Sequence, residues 1–92
     1  MATHLSALKR HRQSEKRRVR NRTIRSRLRH IVREVRTALS AKNTDAAQKS
    51  LAHATRALDK AVTKGVLHRN NAARKIARLT RAVTRMRAGA AG

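Results

Sequence analysis

No cysteine, proline, tryptophan, tyrosine or phenylalanine occurs in this chain of 92 residues, and only three glycines and four carboxylates do. Each absence removes a class of protein. Without cysteine there is no disulfide framework and no thiolate metal site. Without aromatic rings there is no platform for stacking unpaired bases, which disfavours single-strand readers built on aromatic sheets. No apolar run reaches membrane length, and the start lacks the charged-then-apolar pattern of a secretory signal. The expectation is a soluble, cytoplasmic protein that needs no cofactor.

What is present is positive charge. Twenty-five lysines and arginines face four acids, for a net charge of +21. Arginine supplies 18 of the 25, which favours planar, bidentate contact with phosphate oxygens. Self-repulsion at this density opposes a compact state unless a polyanion neutralises it. The means of compaction are thin: Leu, Ile and Val together number 17, and Ala supplies another 17 of the 36 apolar residues. A core built from these must be narrow, with helix backbones close together. The composition describes one marginal domain spanning 1–92 that leans on a nucleic-acid partner, with flexible ends at 1–8 and 87–92.

The lack of breakers predicts an almost wholly helical chain. Ile24, Leu28, Ile31, Val35 and Leu39, with Val32 beside them, recur in steps of three and four and mark one helical face. That helix is expected over about Leu5 to Ala41, roughly 55 Å at 1.5 Å per residue. It closes at AKNTD, where Asn43 can adopt the left-handed conformation and Thr44 or Asp45 can cap the next helix. A second stripe runs Ala47, Leu51, Ala54, Leu58, Ala61 and Val62 and stops at Gly65. A third runs Ala72, Ile76, Leu79, Val83 and Met86, from a start near either Val66 or Asn71, with Asn70 or Asn71 able to cap. Three stripes closing on one another make an all-α fold, a small three-helix bundle. Between Leu8 and Val19 there is no apolar residue. That half of the first helix is expected to project from the bundle and to fray when nothing is bound.

The charges are as periodic as the apolar residues. Arg18, Arg22, Arg25, Arg29, Arg33 and Arg36 are spaced 4, 3, 4, 4 and 3. At about 100° per residue they fall within an arc of roughly 80° flanking the apolar stripe. Arg74, Arg78, Arg81 and Arg85 repeat the device in the third helix. A sparser row, Lys49, His53, Arg56, Lys60 and Lys64, follows the second. A solvated helix face normally mixes signs, because like charges four apart cost roughly 0.2–0.5 kcal/mol per pair. Only Glu34 lies near the longest row. Arginine stacked on arginine in this way suits a row of phosphates.

Catalysis has little support. His4, His11, His30, His53 and His68 are scattered, without a metal-binding pair, and the four carboxylates form no acid–base set. Ser14 and Ser26 read as helix-surface hydroxyls. The expectation is a protein that is not an enzyme and has no small-molecule substrate.

Two blocks go further than periodicity. ALKRHRQSEKRRVRNRTIRSRLR, residues 7–29, closely resembles the amino-terminal signature of the ribosomal protein S20 family of the bacterial small subunit. LDKAVTKGVLHRNNAARKIARL, residues 58–79, is similar to its carboxy-terminal signature, in the same order and separation. The resemblance implies an early-binding structural protein whose long first helix reaches into 16S ribosomal RNA. The implied contacts are mainly with the 5′ domain and also with the long penultimate stem near the 3′ end; other small-subunit proteins are met only peripherally. By motif match it assigns RNA contact to Lys9, Arg10, Arg12, Ser14, Lys16, Arg17, Arg18, Arg20, Asn21 and Arg22. The second block adds Lys64, His68, Arg69, Asn70, Arg74 and Lys75. The rows themselves contribute Arg25, Arg29, Arg33, Arg78 and Arg81. Thr3 and Leu5 depart from the family's usual Asn and Lys, and Ile76 and Ala77 from its commoner Lys-Ser, which favours a core role for Ile76.

Two other classes compete on charge alone. A DNA-compacting, histone-like protein would bind duplex DNA as well as folded RNA. A membrane-active amphipathic helix would need a broad aliphatic or aromatic face, and these faces are narrow and alanine-rich.

Overall fold

A computed structural model describes residues 4–91. Three helices make up the chain: α1 from His4 to Ser40, α2 from Thr44 to Thr63 and α3 from Arg69 to Ala91. The expected three-helix bundle with a long first helix is what forms. Of the ends expected to be flexible, residues 1–3 and 92 lie outside the described residues, whereas 4–8 and 87–91 continue the helices.

The pairing of buried residues gives the topology. Ala38 lies in one cluster with Ala47, and Leu28 in another with Leu58 and Ala61, so α2 runs antiparallel to α1. Ala72 joins the second cluster and Leu79 and Val83 the first, which returns α3 parallel to α1. The middle helix α2 packs against both neighbours, while α1 and α3 meet only over a short stretch. Five of the twelve buried residues are alanine, which lets the backbones approach closely. The expected stripes supply most of this core; Ala38 and Val66, which they omitted, are buried with the rest. Ile24, Leu39, Leu51 and Met86 are half-buried at its margins, and Ile76 packs against the second cluster as its sequence context suggested. Every buried side chain among the described residues is apolar.

Both connections correct details of the sequence reading. At the end of α1 the left-handed residue is Lys42, with φ 56°, not Asn43. The Lys42 N–H donates to Leu39 O at 3.1 Å and the Asn43 N–H to Ala38 O at 3.0 Å, the paired bonds of a Schellman closure. That leaves Asn43 in extended conformation as the N-cap of α2, its Oδ1 accepting from the Ala46 N–H at 3.1 Å. Thr44 and Asp45 are therefore inside the first turn. Asn43 is taken by the cap, which fits its short acceptor side chain, and the left-handed position falls to the residue before it.

Gly65, with φ 75°, closes α2 in the same manner: its N–H donates to Val62 O at 3.0 Å and that of Val66 to Ala61 O at 2.9 Å. Val66 and Ala61 are both buried in one cluster, the apolar contact that accompanies this closure. The third helix then starts at Arg69, between the two expected starting points. Its cap is His68, not Asn70 or Asn71. The His68 carbonyl accepts from the N–H groups of Asn71 and Ala72, and its Nδ1 accepts from the Asn70 N–H at 3.1 Å.

The shape follows from a core that stops where the apolar residues stop. Below Ile24 no residue of α1 is buried, and its first five turns extend past the bundle. The radius of gyration is 18.2 Å and the longest extent 68 Å. A compact chain of this length would have a radius of gyration of about 12 Å.

Candidate nucleic-acid interface

All 25 lysines and arginines lie among the described residues, and all are exposed. One ion pair and one histidine–carboxylate contact form among the described residues: Arg18 with Glu15 at 3.5 Å, and His30 Nε2 with Glu34 at 3.1 Å. Both stand in solvent on α1, where such pairs contribute roughly 0–1 kcal/mol. Glu15 as well as Glu34 lies beside the α1 row, where spacing had pointed to Glu34 alone. Folding therefore brings the positive charges together with almost no internal compensation. Among the described residues no cluster of His, Asp or Glu could hold a metal ion. No helix among them is long and apolar enough to cross a membrane.

The expected contact residues fall into three regions. Lys9, Arg10, Arg12, Ser14, Lys16, Arg17 and Arg18 stand exposed on the projecting half of α1. Arg22, Arg25, Arg29 and Arg33 continue along α1 into the bundle. In α3, Arg69, Asn70, Arg74, Lys75, Arg78 and Arg81 are exposed along the helix. A cleft of about 440 Å³ brings part of α1's row face to face with Lys75. The outer rows of α2 and α3 do not enter this cleft.

The two sequence blocks meet at one end of the bundle. Arg20 Nη2 donates to the backbone carbonyl of Lys64, the residue that follows α2, at 3.4 Å. Asn21, half-buried, holds the same guanidinium: its Oδ1 accepts from Arg20 Nη2 at 3.2 Å and Nε at 3.4 Å. Lys64 is thereby set beside the start of the projecting half. Of the expected contact residues, Arg20 and Asn21 are joined to each other, and His68 caps α3 through Nδ1. These three position the surface as well as belonging to it.

Two cations outside the expected set share in it. Arg36 lines the cleft as the last member of the α1 row. Arg27 borders a shallow depression with Arg22, Thr23, Ser26 and His30. Arg36 had a sequence signal in its spacing; Arg27 lies off the row, and no pattern marked it.

Comparison with known proteins agrees with this geometry. The family model for ribosomal protein S20 matches residues 2–84. A small ribosomal subunit protein bS20 of Maridesulfovibrio salexigens is 54% identical over 86 residues, covering 94% of this chain and 99% of the relative. A bS20 of Geobacter sulfurreducens is 49% identical over 83 residues, 90% and 95% of the two chains. One of Desulfovibrio desulfuricans is 48% identical over 88 residues, 96% and 99%.

Proposed function

The chain belongs to the ribosomal protein S20 family, and on that premise we propose that its one-signed surface is a direct contact surface for 16S ribosomal RNA. It is a structural protein of the small ribosomal subunit and not an enzyme, and the bacterial cytoplasm is where that subunit works. The observation that carries the RNA reading is the exposure of every lysine and arginine with scarcely a carboxylate against them. Such a surface is unfavourable in water and favourable against phosphates.

The mechanism is counterion release along the arginine rows, which position the protein by shape and backbone without reading sequence. The projecting half of α1 enters the 5′ domain, and the bundle reaches the long penultimate 3′ stem. Other small-subunit proteins touch it peripherally. As the family resemblance implies, it binds early in the assembly of the subunit. With about eight phosphates engaged, the log–log dependence of affinity on salt has a slope of roughly −6 to −7. No observation favours the DNA-compacting alternative.

Equilibrium binding to the 5′ domain of 16S RNA, against duplex DNA of equal length at the same salt, tests the proposal. Tight RNA binding beside weak DNA binding is the expected result. Equal affinity for both would reduce the surface to generic polyanion binding and overturn it.

A further inference from the structure

We propose that the cleft between α1 and α3 is a pocket for one unpaired nucleotide of the bound RNA, an inference that rests on the RNA-binding reading above. The cleft exists because both helices pack against α2 while barely meeting each other. Its lining is divided by chemistry. Leu28, Val32, Leu58 and Leu67 form an apolar floor, Leu28 and Leu58 buried and Val32 and Leu67 half-buried. Arg25, Arg29 and Arg33 stand along one wall, and Lys75 comes from α3. No carboxylate lines the cavity.

A phosphate row alone would use the wall and leave the floor wet. A hydrocarbon would use the floor and leave the cations unmatched. A nucleotide supplies both halves, a base for the floor and a phosphodiester for the wall. Residues 25, 29 and 33 are successive i, i+4 positions, about 6 Å apart along the helix axis, a spacing comparable with that of neighbouring phosphates on one strand. The volume of about 440 Å³ accommodates a nucleotide and not a base-paired duplex. Arginine guanidinium planes also stack on bases, and so replace the aromatic platform that this chain lacks. Unpaired, splayed bases are the elements of folded RNA that proteins can enclose in this way.

The missing aromatics make the test direct. The protein has no aromatic residue of the Phe, Trp or Tyr type, and no histidine lines the cleft. A ring-current displacement of the cleft methyls must then come from a nucleobase. Methyl-labelled full-length protein is titrated with an RNA hairpin bearing one bulged nucleotide, and with the same hairpin fully paired. The bulged hairpin is expected to move the Val32 and Leu67 methyls upfield and to bind about tenfold more tightly at matched salt. The paired hairpin leaves those methyls in place. Leu67→Ser is expected to remove the tenfold preference while keeping the affinity for the paired hairpin. Equal affinity for both hairpins with unmoved methyls, in a protein that still binds the 5′ domain, overturns the pocket alone. Failure to bind the 5′ domain as well overturns the reading beneath it.

Discussion

Arg20 on α1 and the carbonyl of Lys64 at the end of α2 lie 3.4 Å apart although 44 residues separate them in the chain. The last carbonyls of a helix carry partial negative charge and lack partners within it, so a guanidinium there is favourable. Asn21 orients that guanidinium from the next position. The contact ties α1 to the end of α2 where the projecting half begins. Because it is long and exposed, Arg20→Ala is expected to cost only about 0.5–1 kcal/mol, read as a lower urea midpoint. Arg22, which faces outward, is the comparison. Its replacement by Ala should leave the midpoint unchanged while weakening RNA binding and lowering the salt slope by about one. Equal midpoints for the two variants would show that the tie contributes nothing to folding.

The two left-handed residues should respond in opposite directions. Lys42 holds φ 56° with a side chain, and Gly65 holds φ 75° without one. A Cβ in that region costs roughly 1–2 kcal/mol. Lys42→Gly is therefore expected to stabilise the protein by about 1 kcal/mol, less the entropy that glycine adds to the unfolded chain. Gly65→Ala should destabilise it by about 1–2 kcal/mol, all of it conformational, since nothing lies within 4 Å of the added Cβ. Thermal melts of both variants measure this. A stabilising Gly65→Ala would contradict the closure described for α2.

His68 offers a way to separate capping from RNA contact. Its Nδ1 accepts from the Asn70 N–H in the first turn of α3. Asparagine is a strong N-cap and alanine a poor one, a difference of roughly 0.5–2 kcal/mol. His68→Asn should keep the stability of the wild type, and His68→Ala should lose about 1 kcal/mol. If both bind RNA with equal affinity, the imidazole acts only as a cap. A loss of affinity in both, with stability lost only in His68→Ala, assigns it a contact of its own.

Much of the fold was legible because apolar residues recur at helical spacing with no proline to interrupt them. Leu28, Ile31, Val35, Leu58, Leu79 and Val83 were readable as core and are buried. Ala38 was not, because alanine is as common on exposed faces as on buried ones in this chain. Val66 was not, because its burial depends on the backbone reversal at Gly65 rather than on any stripe. Asn43 suits both a left-handed turn and an N-cap, and only the hydrogen bond to Ala46 decides between them. For the surface, the arginine rows were legible because like charges four apart need a reason. What spacing could not give is which rows face each other. Lys75 opposite Arg25 and Arg29, and Arg20 against Lys64, follow from helix packing alone.

The projecting half of α1 carries the last prediction. Residues from His4 to Thr23 are helical, but Asn21 and Glu15 are the only ones among them that are even half-buried. A helical segment of about twenty residues without a core is marginal in water, and its like charges weaken it further. Screening those charges should therefore strengthen it, and neutralising them with phosphates should strengthen it more. Raising salt in the absence of RNA is expected to increase the far-ultraviolet helical signal modestly. Adding the 5′ domain of 16S RNA at low salt should increase it by the equivalent of roughly ten to twenty residues. The bundle is the internal control, because Leu28, Val35 and Leu58 are buried without any RNA, so truncating the chain before Thr23 should abolish the gain and leave the melt of the remainder cooperative. An unchanged signal on binding would mean that the arm is already rigid in the free protein. Its arginines would then meet the RNA as a preformed rod.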